Sequence, residues 1–220
     1  MEINQLINIM AEGIWETLYM TITSTALAYV LGIPIGVILF ISDKNGIAEN
    51  GVLNKVLGII VNLLRSVPFI ILLVAILPFT RFVVGTTIGA TATIVPLVVT
   101  ATPFVARMVE SSLKEVNGGV VEAALSMGSS NIQIITKVLL PEAKPSLMVG
   151  STIAITTILG YSAMAGFVGG GGLGAIAINY GYYRYQEDIM LITVILLVIV
   201  VQIFQEAGMR IASRIDKRKH

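Results

Sequence analysis

Residues 17–42 read TLYMTITSTALAYVLGIPIGVILFIS, a run of 26 residues bracketed by Glu16 and Asp43 with no charge inside it. The hydrocarbon core of a bilayer is crossed by about 20 mostly apolar residues of helix, so this stretch reads as a membrane span. Three further charge-free runs come after it: 82–106, 145–183 and 189–205. A fifth span, 56–80, is interrupted only by Arg65, whose long stem can carry its charge to an interface. The run 145–183 is long enough for two helices, but its middle is Gly169-Gly170-Gly171-Gly172-Leu173-Gly174, whose backbone entropy opposes a continuous helix. It is read as one span, then a glycine loop and a polar-aromatic stretch ending at Tyr180-Gly181-Tyr182-Tyr183. The expectation is an all-α integral membrane protein: one domain over 1–220 with five transmembrane helices, about 17–42, 56–80, 84–107, 146–166 and 189–206.

Composition agrees. The chain is 55% hydrophobic and 12% charged, with mean hydropathy +0.89. A soluble domain carries roughly twice that charge, and disorder needs low hydrophobicity. With no cysteine and one histidine, the terminal His220, zinc, iron–sulfur and disulfide frameworks are unsupported. A net charge of +1 argues against a nucleic-acid partner. Twelve of the fourteen bases fall on one side if the C-terminus is cytoplasmic, leaving only Arg81 and Arg184 outside. The positive-inside rule therefore places the N-terminus outside and the C-terminus in the cytoplasm. The start lacks the basic region of a cleavable signal; Ala26-Leu27-Ala28 has the spacing of a cleavage site but lies mid-helix.

The longest segment between spans lies between spans three and four. Glu110 and Lys114 are four apart with the acid first, the favoured order on a helix. Asn117-Gly118-Gly119 breaks that helix, and Val120–Met127 predicts a short one with Val120, Val121, Ala124 and Leu125 on one face. Gly128 comes next as a helix stop. Ser130 and Gln133 form a capping box for a second helix, with Ile132, Ile135, Val138 and Leu139 on a shared face until Pro141 ends the pattern.

Within this loop, Glu122-Ala123-Ala124, then Gly128, then Val138-Leu139-Leu140-Pro141 resemble the EAA loop of bacterial ABC importer permeases. That pattern is E-A-A, three residues, G, nine residues, I-x-L-P, and only Val138 departs from it. In that family the loop is a coupling helix seated in a groove of a cytoplasmic ATPase. The resemblance thus implies ATPase-coupling roles for Glu122, Ala123, Ala124, Gly128, Leu140 and Pro141, in a loop of about 117–144. Small alanines allow close approach and Gly128 permits the turn. Glu122 offers a charge either to a basic partner or to its own helix dipole.

Arg65–Phe69, Pro103–Glu110 and Gly160–Met164 resemble the permeases of methionine importers in particular. This resemblance implies a homodimer in the bacterial cytoplasmic (inner) membrane, with two cytoplasmic ATPase subunits and an external binding protein. The cargo would be L- and D-methionine, or on the alternative reading another amino acid or small solute. No G-K-[S/T] sequence is present, so no P-loop is expected and the chain is expected to be a transport subunit rather than an enzyme. ATP and Mg would bind the partner ATPase, and no cofactor is expected here.

Span four is the candidate pathway lining: Thr152, Thr156, Thr157, Tyr161 and Ser162 supply hydroxyls and Met164 a soft surface. The stretch Gly160–Met164 singles out Tyr161, Ser162 and Met164, although hydroxyls in membrane helices commonly bond their own backbone or a neighbouring helix. Gly169, Gly171 and Gly174 fit G-x-G-x-x-G without the strand a dinucleotide site needs. Gly32 and Gly36 form a G-x-x-x-G that permits close packing but arises often by chance. Lys217-Arg218-Lys219 suits anionic lipid. A secondary transporter would place acids or His in its spans, and the four cleanest spans hold none. A serine enzyme built on Ser162 would lack a histidine base.

Overall fold

A computed structural model describes residues 3–215, so the basic tail Lys217-Arg218-Lys219 lies outside the described residues. The described chain is helical with no strand. Four helices are long and apolar enough to cross a membrane, five if one bent pair counts as a span.

Helix α1 (Ile3–Ile41) has 39 residues, starting well before the expected 17. At 1.5 Å per residue it is ~58 Å long, about twice the hydrocarbon thickness. Glu12 and Glu16 mark where a bilayer is tolerated, but charge alone does not end a helix; with no Pro or turn sequence before Pro34, nothing stops it.

The span expected at 56–80 is found as a bent pair rather than one helix. Helix α2 (Gly51–Ser66) begins at Asn50, whose side chain accepts the Leu53 N–H, and ends at Val67, which is extended at φ −81°, ψ 125°. Pro68 has no N–H and pushes its predecessor out of the helical region. The chain turns by 101° into α3 (Phe69–Ala75), and α4 (Leu77–Val84) continues from there.

Helix α5 (Ala90–Lys114) stays continuous through Pro96 and Pro103 and forms the centre of the bundle. Leu97, Val105, Val109 and Leu113 are fully buried along it. The G-x-x-x-G of α1 is used here: a Cβ on Gly32 would lie 2.6 Å from Val105, and one on Gly36 would lie 2.5 Å from the Ala106 carbonyl oxygen. Those two glycines let the α1 and α5 backbones approach.

After α6 (Gly118–Ser126) and α7 (Asn131–Ile134), the helix does not stop at Pro141. It passes through a π-helical turn, Ile135–Leu139, into α8 (Leu140–Met164), so span four begins before 146. The Leu140 N–H reaches back five residues to the Ile135 carbonyl. This widened turn directly precedes Pro141 and absorbs its missing donor.

The glycine segment is a shorter loop than expected: Gly169–Gly171 are non-helical, and helix resumes at Gly172. A 3₁₀ turn (Ala165–Val168) ends at Gly169, and Gly172 opens α9 (Gly172–Ile176), which continues as a π-turn, Ala177–Tyr182. Glycine is needed for close approach: a Cβ on Gly174 would fall 2.5 Å from the Ala163 Cα. Helix α10 (Glu187–Ile215) closes the bundle. Its exposed Leu191, Ile195, Val198 and Ile203 form an apolar outer face suited to lipid rather than water.

Candidate functional site

The helix–turn–helix after α5 is built by local bonds. Asn117 Oδ1 accepts the Gly119 N–H at 2.8 Å and starts α6. Gly128 lies just past its end at φ +76°, and a Cβ there would meet nothing within 4 Å. Backbone conformation, not space, therefore selects glycine. The Gly128 N–H donates to the Leu125 carbonyl at 2.9 Å and the Ser129 N–H to the Ala124 carbonyl at 3.1 Å. The capping box forms reciprocally: Ser130 N–H to Gln133 Oε1 at 2.9 Å, and Gln133 N–H to Ser130 Oγ at 3.4 Å.

Ala124 is buried and Val121 half-buried against the bundle core. Glu122 and Ala123 are exposed. The apolar face expected of α6 is split, because Val120 and Leu125 point outward. Met127 and Ile132 join them at 79% and 73% exposure. In the second helix Ile134 and Leu139 are the fully buried residues, and Ile132 is not on the inner face. The expected face started two residues early because the π-turn shifts the register. Leu140 is half-buried and Pro141 exposed where α8 begins. The loop thus presents an apolar surface away from the bundle, with Glu122 and Ala123 beside it. Among the described residues the Glu122 carboxylate has no hydrogen-bond or ion-pair partner.

A charge cluster anchors this end. Glu110, its side chain 8% exposed, receives Arg107 at 2.6 Å and Lys114 at 2.8 Å. Lys114 also reaches Asp43 at 3.1 Å, and Arg107 donates to the Gly58 carbonyl at 3.1 Å. The Lys44 backbone N–H, then Lys114, hold the Asp43 carboxyl below its ordinary value. The cluster ties the end of α1, helix α2 and the base of α5 together. Asn131 adds α7 through a 3.4 Å bond to the Ile47 carbonyl. The Glu110–Lys114 spacing was readable in sequence; Arg107 three residues earlier was the signal for its second partner, and Asp43 left none.

The three pathway candidates do not converge. Tyr161 is half-buried and stacks on Phe69 of α3, centroids 4.7 Å apart and planes 10° apart. Ser162 is buried and donates to the Leu159 carbonyl at 2.8 Å, so its hydroxyl is satisfied within its own helix. Met164 is exposed on the face shared by Ile153 and Gly160. Thr156 and Thr157 also bond carbonyls of α8.

A bundle of helices long and apolar enough to cross a membrane, with a structured loop held out from one end, defines a multi-pass membrane protein. Residues 32–214 match the family described as "Binding-protein-dependent transport system inner membrane component". The chain belongs to that family, as a transport component rather than an enzyme. It is 54% identical over 204 residues (93% of this chain, 91% of the relative) to a protein of Vibrio cholerae described as a probable D-methionine transport system permease protein MetI. A Pasteurella multocida protein of the same description is 51% identical, with 92% and 94% covered. Among solved structures, one of the MetNI methionine ABC transporter in an inward-facing conformation matches with TM-score 0.96 and 47% identity, covering 99% of this chain and 100% of the other. An amino acid ABC transporter at 18% identity and TM-score 0.73 shares the fold.

Proposed function

We propose that the chain is the permease subunit of an ATP-driven importer of methionine, L- and D-forms, delivered by an external binding protein. The permease is proposed to act as a homodimer in the bacterial inner membrane, N-terminus outside, with two cytoplasmic ATPase subunits that bind ATP and Mg. The supporting likeness is to relatives described as D-methionine permeases and to the permease-like chain of a methionine ABC transporter. The observation that carries the reading is the surface of α6. Val120 and Leu125 stand exposed on a short helix apart from the long apolar spans, with Met127 exposed just past its end, and an apolar cluster of this kind marks an interaction surface.

In this reading Glu122 and Ala123 touch the ATPase, Ala124 anchors the helix to the bundle, and Gly128 sets its angle. Leu140 and Pro141 pass its movement into α8. Met164 lies on the face of α8 assigned to the substrate pathway; Tyr161 supports that face through Phe69, and Ser162 packs behind it. No cofactor is assigned to this chain. Co-expression with its ATPase should yield a complex whose hydrolysis rises on adding the binding protein, and Glu122→Lys should abolish that rise without preventing membrane insertion. A chain that purifies alone and transports without ATP would contradict the reading.

A further inference from the structure

The end of the bundle opposite the coupling loop holds a second polar junction. There Glu16 Oε2 accepts the Gly172 N–H at 2.6 Å, across 156 residues of sequence. Next to it Thr17 Oγ1 accepts the Leu173 N–H at 2.9 Å while donating to the Gly13 carbonyl at 2.7 Å. The hairpin they grip is fixed on its other sides. Gly89 N–H donates to the Gly169 carbonyl at 2.8 Å and Gly170 N–H to the Ala165 carbonyl at 2.9 Å. A Cβ on Gly171 would lie 2.6 Å from the Glu16 carboxylate and 3.0 Å from Ala90. Gly172 has φ +78°, and Leu173 beyond it is fully buried with Met10, Ile176 and Ile189. The first third of α1, the start of α5 and the end of α8 therefore meet at one hairpin, and Glu16 supplies the carboxylate that grips it. A carboxylate holding a backbone N–H makes a stronger bond than a neutral acceptor.

The hairpin is also mechanically continuous with the coupling loop. Residues 131–168 form one helical path, from α7 through the π-turn and α8 to the 3₁₀ turn, and the hairpin begins where that path ends at Gly169. The path starts at the capping box beside Gly128.

We propose that Glu16, seconded by Thr17, is a positioning residue for transport. It clamps the 169–174 hairpin to the first third of α1, so that this part of α1, the start of α5 and the end of α8 move as one body with the path that leads to the coupling loop. The clamp is a matter of this chain's geometry, and its use in transport rests on the importer reading.

Two readouts on the complex with its ATPase and binding protein test it. Glu16→Ala should speed hydrogen exchange of the Gly172 and Leu173 amides by about tenfold or more, given what a charge-assisted bond contributes, with amides of 118–128 unchanged. Thr17→Val, which keeps the shape, should speed Leu173 alone. Glu16→Ala should also cut binding-protein-stimulated ATP hydrolysis several-fold and leave basal hydrolysis unchanged. Glu16→Gln, whose amide oxygen can accept the same N–H, should restore most of both. Unchanged exchange in Glu16→Ala would overturn the clamp. Faster exchange with an unchanged ratio of stimulated to basal hydrolysis would overturn its role in transport. If the wild-type complex shows no stimulation, the importer reading and the positioning role both fall, and exchange alone decides whether the clamp exists.

Discussion

Gly128 and Gly36 are both glycines for reasons a substitution can separate. Gly128 needs its left-handed backbone and has open space around it; Gly128→Ala should cost about 1–2 kcal/mol locally and weaken coupling of ATP hydrolysis to uptake while the bundle stays folded. Gly36 needs close approach to Ala106 and Val109, so Gly36→Leu should prevent α1 from seating on α5 and abolish recovery of folded protein in detergent. The motif reading reached Gly128 because a helix stop is a local signal. It could not decide Gly36, since the same spacing arises wherever glycine is common and only the facing helix gives it meaning. Charge behaves similarly. Asp43 is held below its ordinary pKa by the Lys44 N–H and Lys114, so its contribution is fully present above about pH 4, the unfolded value, and is lost as pH falls through the lower folded value. The thermal midpoint should fall on acidification below pH ~4, and Asp43→Asn should flatten that fall.

Among the elements, the prolines separate what sequence shows from what it hides. Pro34, Pro96, Pro103 and Pro145 sit inside helices, and Pro141 comes after a widened turn. Pro68 breaks its span by 101°, and Pro78 sits in the first turn of α4. Their local chemistry is the same, so charge-free length located the membrane segments but not the bend. The difference lies in the tertiary docking of the next residue: after Pro68 the chain sets Phe69, 5% exposed, flat against Tyr161. That docking compensates the lost helical bonds. Phe69→Ala should therefore cost about 3–5 kcal/mol, read as a lowered thermal midpoint, whereas truncating exposed Phe82 of α4 should change it little. Glycines misled in the opposite sense. Gly169–Gly174 read as a loop because entropy opposes a helix, and Gly169–Gly171 are one, yet the close approach of Gly174 to Ala163 makes glycine the residue that lets α9 form from Gly172.

Across the whole molecule, the two polar junctions sit at opposite ends: Asp43, Arg107, Glu110 and Lys114 near the coupling loop, Glu16 and Thr17 at the glycine hairpin. On the proposed topology, which follows the lopsided bases, the first end faces the cytoplasm. The sequence contains no cysteine, so single substitutions can report sidedness directly. Met127→Cys and Tyr185→Cys lie at exposed positions. In intact cells an impermeant thiol reagent should label the Tyr185 variant, and reach the Met127 variant only after permeabilisation. The reverse pattern would invert the topology. Cargo was the least legible property, because the loop that carries the family motif is proposed to face the ATPase rather than the substrate, and the hydroxyls of α8 are largely engaged with its own backbone. The most direct measurement is uptake of labelled methionine into proteoliposomes holding the permease, its ATPase and its binding protein. Accumulation that requires enclosed ATP, and that unlabelled methionine but not lysine suppresses, is the predicted result. Uptake without ATP, or equal suppression by lysine, would contradict it.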